Sequence, residues 1–171
     1  MREIKVSLLV LLLLASVPYT IYGQESKGHK RGDIAPIFNT ITLAGDEVSL
    51  SDYRGKYVLL NFWGSWCQPC HTALPDLWEA YDTFSEDDFE IIGIALERNE
   101  QSANRFIESY EIKWPNVVEL MDSEKPITES YNVQGYPLYY LIDRDGKIAE
   151  FGGGRFFTSR LVEIMNYYID Y

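Results

Sequence analysis

Hydrophobic residues divide the chain after about residue 34 into alternating strand-like and helix-like segments. Residues 57–63 and 89–96 are apolar nearly throughout, which is typical of strands buried on both faces of a sheet. Between them, Leu74, Leu77 and Tyr81 are spaced as on one face of a helix. This pattern predicts an amphipathic helix between two buried strands.

The other segments extend this alternation to the end of the chain. They predict an N-terminal hairpin at 38–43 and 48–50, a helix with its apolar stripe at 103–110, a strand at 117–118, a short helix at 123–131, strands at 138–142 and 148–151, and a closing helix at 161–169. Asp143-Arg144-Asp145-Gly146 favours a tight turn between the last two strands. The expected order is β-β-β-α-β-α-β-α-β-β-α, an α/β fold with helices on both faces of a central sheet.

The first residues follow a different pattern. Arg2 and Lys5 precede an apolar run from Val6 to Ala15, and Pro18 breaks this run. A positive start followed by a short apolar run is typical of an export signal. We therefore predict a protein that is exported to the periplasm or another extracytoplasmic space.

The boundaries that follow are a signal peptide at 1–23, a polar linker at 24–33 and one domain at 34–171. An uncleaved N-terminal anchor is the alternative. Residues 6–22 form a stretch of 17 residues, which is at the short limit for a membrane span.

The charge of the chain limits its partners. The net charge is −11, and because residues 1–23 carry +1, the remainder carries −12. A strongly acidic body repels phosphate backbones. Nucleic acid is therefore not expected as a partner.

The two cysteines, Cys67 and Cys70, lie three positions apart in the segment Trp66-Cys67-Gln68-Pro69-Cys70. A scaffold held together by disulfides would distribute several pairs along the chain. A stabilising disulfide is the alternative, but closing a loop of only four residues would stabilise the folded protein by only about 2 kcal/mol. Structural zinc needs four ligands, and His29 and His71 are the only histidines. We expect a redox-active disulfide, with no metal and no other cofactor.

The position of Cys67 suggests how this disulfide works. It follows a buried strand and precedes the amphipathic helix, so its thiolate is stabilised by the helix N-terminus. Cys67 is therefore expected to be the nucleophile, and Cys70, about one turn later, the resolving cysteine. Pro69 is tolerated in the first helical turn.

The segment 61–70 resembles the active site of the thioredoxin superfamily, in particular its TlpA/ResA-like branch, which is related to the AhpC/TSA and Redoxin domains. Segments 32–38 and 50–56 resemble the entry hairpin of that branch, Pro75 the proline of its active-site helix, and Gly135-Tyr136-Pro137 its cis-proline loop. The resemblance implies a thioredoxin fold with a mixed sheet, an N-terminal β-hairpin and a central αβ insertion at about 101–120.

The resemblance also suggests supporting residues. A cis bond at Pro137 would place the backbone of Tyr136 where it can pair with an extended substrate, and an ordinary trans turn is the alternative. Glu97, at the end of the next strand, is expected to move protons for Cys70, the alternative being a solvated carboxylate. His71 is expected to be a solvated helix residue.

Trp66, Gln68 and Pro69 complete the candidate site. Gln68 is neutral where ResA-like proteins often have an acid, and Tyr136 is bulkier than the usual residue before the cis-proline. Both departures affect substrate preference and reduction potential.

The function implied by the resemblance is the reduction of disulfides in exported proteins, cytochrome c precursors among them, with electrons from a membrane thiol donor. An oxidase or isomerase would use the same exchange chemistry with a different potential. A copper-delivery module of this fold is the alternative from another class, although its cysteine spacing is wider than that of Cys67 and Cys70.

Overall fold

A computed structural model describes residues 29–169. Its strands are β1 (Asn39–Ile41), β2 (Glu47–Ser49), β3 (Tyr57–Trp63), β4 (Phe89–Glu97), β5 (Asn116–Leu120), β6 (Leu138–Ile142) and β7 (Ile148–Gly153). Its helices are α1 (Gln68–Thr83), α2 (Glu100–Ser109), α3 (Pro126–Ser130), α4 (Gly154–Thr158) and α5 (Leu161–Ile169), with a 3₁₀ turn at Leu50–Tyr53.

Five strands form the central sheet in the order β5-β4-β3-β6-β7, and β1 and β2 form a separate hairpin. Strand β3 runs parallel to β4 and antiparallel to β6, so the sheet is mixed. The parallel strands β3, β4 and β5 end at the same edge. The start of α1, the end of β4 and the start of α2 therefore meet there, and this edge carries the candidate site.

The side chains of β3 alternate between two hydrophobic cores because successive strand residues point to opposite faces. One core contains Tyr57, Leu59 and Trp63 together with buried residues of α1, α2, α4 and α5. The other contains Val58, Leu60 and Phe62 together with residues of the hairpin and α3. Helices thus cover both faces, and every residue of β3 is buried.

A close packing contact fixes the edge strand β5 against the rest of the sheet. The Asn116 amide accepts a hydrogen bond from Trp63 Nε1 at 3.1 Å and donates one to the Trp114 carbonyl at 2.8 Å. A Cβ on Gly93 would lie 2.0 Å from Asn116 Oδ1. Glycine at this position therefore permits the side chain that links β5 to β3.

The observed elements confirm the predicted α/β fold and its order, with differences at boundaries. Strands 57–63 and 138–142 begin and end as predicted. Helix α3 is shorter than the predicted 123–131, because regular helix starts only at Pro126, and α4 is an additional short helix. The expected αβ insertion is formed by α2 and β5.

The predicted signal peptide and most of the predicted linker lie outside the described residues. Within residues 29–169, none of the helices has the length and apolar character needed to cross a membrane.

Candidate active site

Cys67 and Cys70 are joined in a disulfide at the start of α1. Cys67 is the N-cap residue of this helix, and its sulfur accepts a hydrogen bond from the Cys70 N–H at 3.3 Å. Each cysteine is only 4% exposed, whereas Gln68 and Pro69 between them are exposed. The helix N-terminus therefore surrounds Cys67 with backbone N–H groups that stabilise a thiolate after reduction.

The turn from Gly64 to Cys67, which we call the redox turn, delivers Cys67 to the helix. Its backbone closes through a hydrogen bond from the Cys67 N–H to the Gly64 carbonyl at 3.0 Å. The Trp66 indole folds back and donates to the Leu96 carbonyl at 2.8 Å. A Cβ on Gly64 would lie 2.6 Å from Trp66 Nε1, so glycine is needed for this arrangement.

Glu97 lies at the end of β4, beneath the redox turn. It is only 2% exposed, and its Oε1 accepts a hydrogen bond from the Ser65 N–H. The alternative of a solvated carboxylate is therefore wrong, because the side chain is buried against the turn that leads to Cys67. Its role in moving protons for Cys70 stays a prediction.

The environment of His71 differs from the solvated position that the sequence predicted. It is partly buried, and both ring nitrogens have partners: Nε2 bonds to the Ser65 carbonyl at 2.9 Å and Nδ1 to the Tyr110 hydroxyl at 3.0 Å. It is not a solvated helix residue, because α2 packs over this part of α1 and encloses the ring.

The second loop of the site contains Tyr136 and Pro137. The peptide bond between them is cis, so the alternative of an ordinary trans turn is wrong. Pro137 is buried, and its carbonyl accepts a hydrogen bond from the Gly154 N–H at 3.3 Å. The Tyr136 ring packs edge-on against Trp66, with ring centroids 5.4 Å apart. The cis-proline loop and the redox turn are therefore in direct contact.

A buried glutamate also supports the cis-proline loop, and the sequence analysis missed it. Glu119 of β5 is 6% exposed, and its carboxylate accepts hydrogen bonds from the N–H groups of Ile127 at 2.7 Å and Thr128 at 2.9 Å. These groups belong to the first turn of α3, where the N-cap residue Lys125 provides no side-chain cap. Glu119 thus caps the helix that precedes the loop.

The surroundings of Tyr136 change the properties of its phenol. Burial raises the pKa of Tyr136, and the negative charge of Glu119 raises it further. The net direction is upward. The Tyr136 hydroxyl is buried and has no hydrogen-bond partner among residues 29–169, and this burial favours the neutral phenol.

Two grooves adjoin the two loops of the site. One adjoins the redox turn and is lined by Ser65, Ser102, Arg105, Phe106, Ser109 and Tyr110. The other runs along the cis-proline loop, and its lining includes Tyr136, Leu138, Tyr140, Phe151 and Gly153. Trp66 is 52% exposed and packs against Tyr136 between these loops.

The structure brings the predicted site residues together at one edge of the sheet. Trp66, Gln68 and Pro69 adjoin the cysteines in the chain, Glu97 binds the redox turn, and Tyr136 of the cis-proline loop packs on Trp66. The missed contributions are those of Tyr110 and Glu119. A helix that starts without a capping residue at Pro126, seven positions after an acid within an apolar strand, is the signal that could have indicated Glu119. Tyr110 gave no comparable signal.

Among residues 29–169, the structure groups no three or more His, Cys, Asp or Glu side chains in a way that could hold a metal ion.

A cysteine pair at a helix N-terminus, beside a cis-proline loop and on a mixed five-stranded sheet, defines the thioredoxin-fold thiol–disulfide oxidoreductases. Residues 31–151 match the model of the AhpC/TSA family. The chain therefore belongs to this family.

Curated proteins that are similar to this chain are named as thiol-disulfide oxidoreductases. The thiol-disulfide oxidoreductase ResA of Geobacillus kaustophilus is 36% identical over 145 residues, which cover 83% of this chain and 82% of that protein. The ResA of Bacillus subtilis is 30% identical over 161 residues, with 92% and 88% covered. The chain is accordingly a thiol–disulfide oxidoreductase with a CxxC pair.

Solved structures agree with this assignment. The thioredoxin domain of a thiol-disulfide oxidoreductase from Bacteroides vulgatus superposes with a TM-score of 0.71 at 34% identity, covering 80% of this chain and 97% of that one. A putative thiol:disulfide interchange protein DsbE from Chlorobium tepidum gives a TM-score of 0.72 at 26% identity, with 81% and 96% covered.

Proposed function

We propose that this protein reduces disulfides of exported proteins outside the cytoplasm, with Cys67 as the nucleophile and Cys70 as the resolving cysteine. The observation that carries the proposal is the position of Cys67 as the N-cap of α1, beside the cis-proline loop. There the helix N-terminus stabilises the thiolate, and the loop offers backbone groups to an extended substrate.

The reaction starts from the dithiol form. The Cys67 thiolate attacks one sulfur of a substrate disulfide, so that one S–S bond breaks, a mixed disulfide forms, and the released substrate thiolate takes a proton. Cys70 then loses its proton and attacks Cys67, releasing the second substrate thiol. In sum, the substrate disulfide gains two electrons and two protons, and the protein ends with the Cys67–Cys70 disulfide.

We assign Glu97 to the second step. Its Oε1 is bound to the Ser65 N–H, and within residues 29–169 the structure gives its Oε2 no hydrogen-bond partner. This oxygen is free to take the proton that Cys70 must lose before it attacks.

The reducing direction rests on the similarity to the ResA proteins. The location outside the cytoplasm rests on the export-signal pattern of the first residues. An oxidising compartment regenerates disulfides, so the protein needs a membrane thiol donor to return it to the dithiol form. Precursors of cytochrome c are the substrates we propose first, since they need free thiols before haem attachment.

The partners of Cys67 can be tested by trapping. In a Cys70→Ser variant the mixed disulfide on Cys67 cannot be resolved, so substrates should remain attached and be identified by mass spectrometry. Cytochrome c precursors among them would support the specific substrate, and a broad set of exported proteins would support a general reductase. The matched variant Cys67→Ser should trap none of them. Equal trapping by both variants would contradict the assignment of the nucleophile.

The direction of the reaction is tested by the reduction potential. A reductase should have a potential near that of thioredoxin, about −270 mV. A value near the oxidising end of the family, about −120 mV, would show that the protein acts as an oxidase.

A further inference from the structure

The residue two positions before Cys67 is bound on both sides of its backbone. The N–H of Ser65 donates to Glu97, and its carbonyl bonds to His71 Nε2 at 2.9 Å. A carbonyl oxygen can only accept, so Nε2 must carry the hydrogen. Two consecutive peptide groups of the redox turn are therefore held by two side chains from different elements, β4 and α1.

His71 is itself held in place by α2. The Tyr110 hydroxyl lies 3.0 Å from His71 Nδ1 and forms a hydrogen bond with it. The rings of Phe106 and Tyr110 lie edge-on to the imidazole, at centroid distances of 4.9 Å and 5.6 Å. These contacts leave the imidazole one orientation, with Nε2 directed at the redox turn.

The contacts of His71 should matter more in one redox state than in the other. In the disulfide form, the covalent bond between Cys67 and Cys70 restrains the redox turn by itself. In the dithiol form this bond is absent, and the turn depends on its hydrogen bonds to Glu97, His71 and the Leu96 carbonyl. A contact that acts mainly on the dithiol form raises the reduction potential.

We propose that His71, oriented by Tyr110, is a positioning residue for the nucleophile. It holds the Ser65–Trp66 peptide group so that Cys67 stays at the N-terminus of α1 when the disulfide opens. The inference deepens the proposed function, since it concerns the same redox centre. Its consequence is that removal of the Nε2–H donor destabilises the dithiol form selectively.

The test compares His71→Leu with His71→Gln in equilibrium with glutathione redox buffers. Leucine removes the donor, and the equilibrium constant should shift about fivefold towards the disulfide, the effect of about one hydrogen bond. This corresponds to about 20 mV for a two-electron couple. Glutamine carries an N–H donor at a similar reach, so it should restore most of the shift. Alkylation of Cys67 by iodoacetamide should slow in His71→Leu and recover in His71→Gln.

Tyr110→Phe provides a milder variant that keeps the ring packing on Phe106. It should shift the equilibrium in the same direction, by about twofold, because Nε2 keeps its donor while Nδ1 loses its partner. The matched control is Tyr168→Phe, which removes hydroxyl contacts to the Ala149 carbonyl and Glu150, near the opposite end of β3. It should lower stability without changing the potential.

Three outcomes would overturn the inference. They are an unchanged potential in His71→Leu, no recovery in His71→Gln, and an equal shift in Tyr168→Phe. A merely structural contact would be lost from both redox forms and would leave the potential unchanged. These measurements use glutathione and not a protein substrate, so they do not depend on the proposed function. The proposed function fails separately, if the parent protein forms a reversible disulfide–dithiol couple but reduces no protein disulfides.

Discussion

Two buried glutamates on neighbouring strands support the two loops of the site in different ways. Glu119 of β5 accepts two backbone N–H groups, both from the first turn of α3. Glu97 of β4 accepts one, from Ser65 in the redox turn. The carboxylate of Glu119 is thus occupied by backbone donors through both oxygens, whereas that of Glu97 keeps one oxygen without such a partner among residues 29–169.

This difference separates a structural acid from a candidate catalytic one. A buried carboxylate is costly unless it is hydrogen-bonded, and Glu119 meets this cost by replacing the missing cap of α3. Glu97 is 2% exposed, and it binds the redox turn through one oxygen only. Burial by itself therefore does not identify a functional acid, and the count of bonded oxygens is the more useful criterion.

Glu119→Ala should produce the largest loss of stability. It leaves the N–H groups of Ile127 and Thr128 buried without an acceptor, so the free energy of unfolding should fall by about 3 kcal/mol. Urea unfolding measures this loss. Glu119→Gln keeps an acceptor oxygen and should cost less. If Glu119→Ala instead left stability unchanged and altered the pH dependence of disulfide exchange, Glu119 would be the candidate catalytic acid and not a structural one.

Glu97→Gln should change catalysis rather than stability. Glutamine still accepts from the Ser65 N–H but cannot take a proton, so release of substrate by Cys70 should slow about tenfold. This is less than acid–base catalysis typically contributes, because buffer can also take the proton. Stopped-flow rates over a range of pH measure the effect, with Glu119→Gln as the matched control. A pH profile identical to that of the parent protein would exclude the proton-transfer role.

Tyr136→Phe should have the smallest effect, and it tests whether burial keeps the Tyr136 phenol neutral. Burial and Glu119 raise the pKa of Tyr136 in the folded state, so folding favours the neutral phenol. The stability that this phenol contributes is complete below its unfolded pKa of about 10 and is lost as pH rises through the folded value. Unfolding free energies between pH 8 and 11 should fall less steeply in Tyr136→Phe. Parallel curves would show that the phenol does not titrate in this range.

Most of the secondary structure followed from local patterns. The continuous apolar run at 57–63 and the turn at Asp143–Gly146 fixed their elements almost to the residue. Helix α3 was predicted too long because its first turn is stabilised by Glu119 of β5 and not by a local capping residue. Helix propensity and hydrophobic spacing along the chain do not predict a cap that comes from another strand.

The candidate site was predictable where its chemistry lies within one segment or matches a known family pattern. Cys67 and Cys70 were placed at a helix N-terminus from the order of strand and helix alone, and Glu97 was identified from the resemblance to the TlpA/ResA-like branch. The role of His71 was not predictable, because its partner Tyr110 lies 39 positions along the chain. The sequence gives no rule for which residue of α2 faces α1.

Local patterns predicted the cysteine pair, the alternation of elements and the proline of the second loop, because each depends on residues close together in the chain. The folded protein was needed to show that Glu97 and His71 hold the same serine, that Tyr136 packs on Trp66, and that Glu119 caps α3. These contacts join different elements at one edge of the sheet. They depend on how the helices pack across strands, which local spacing does not specify.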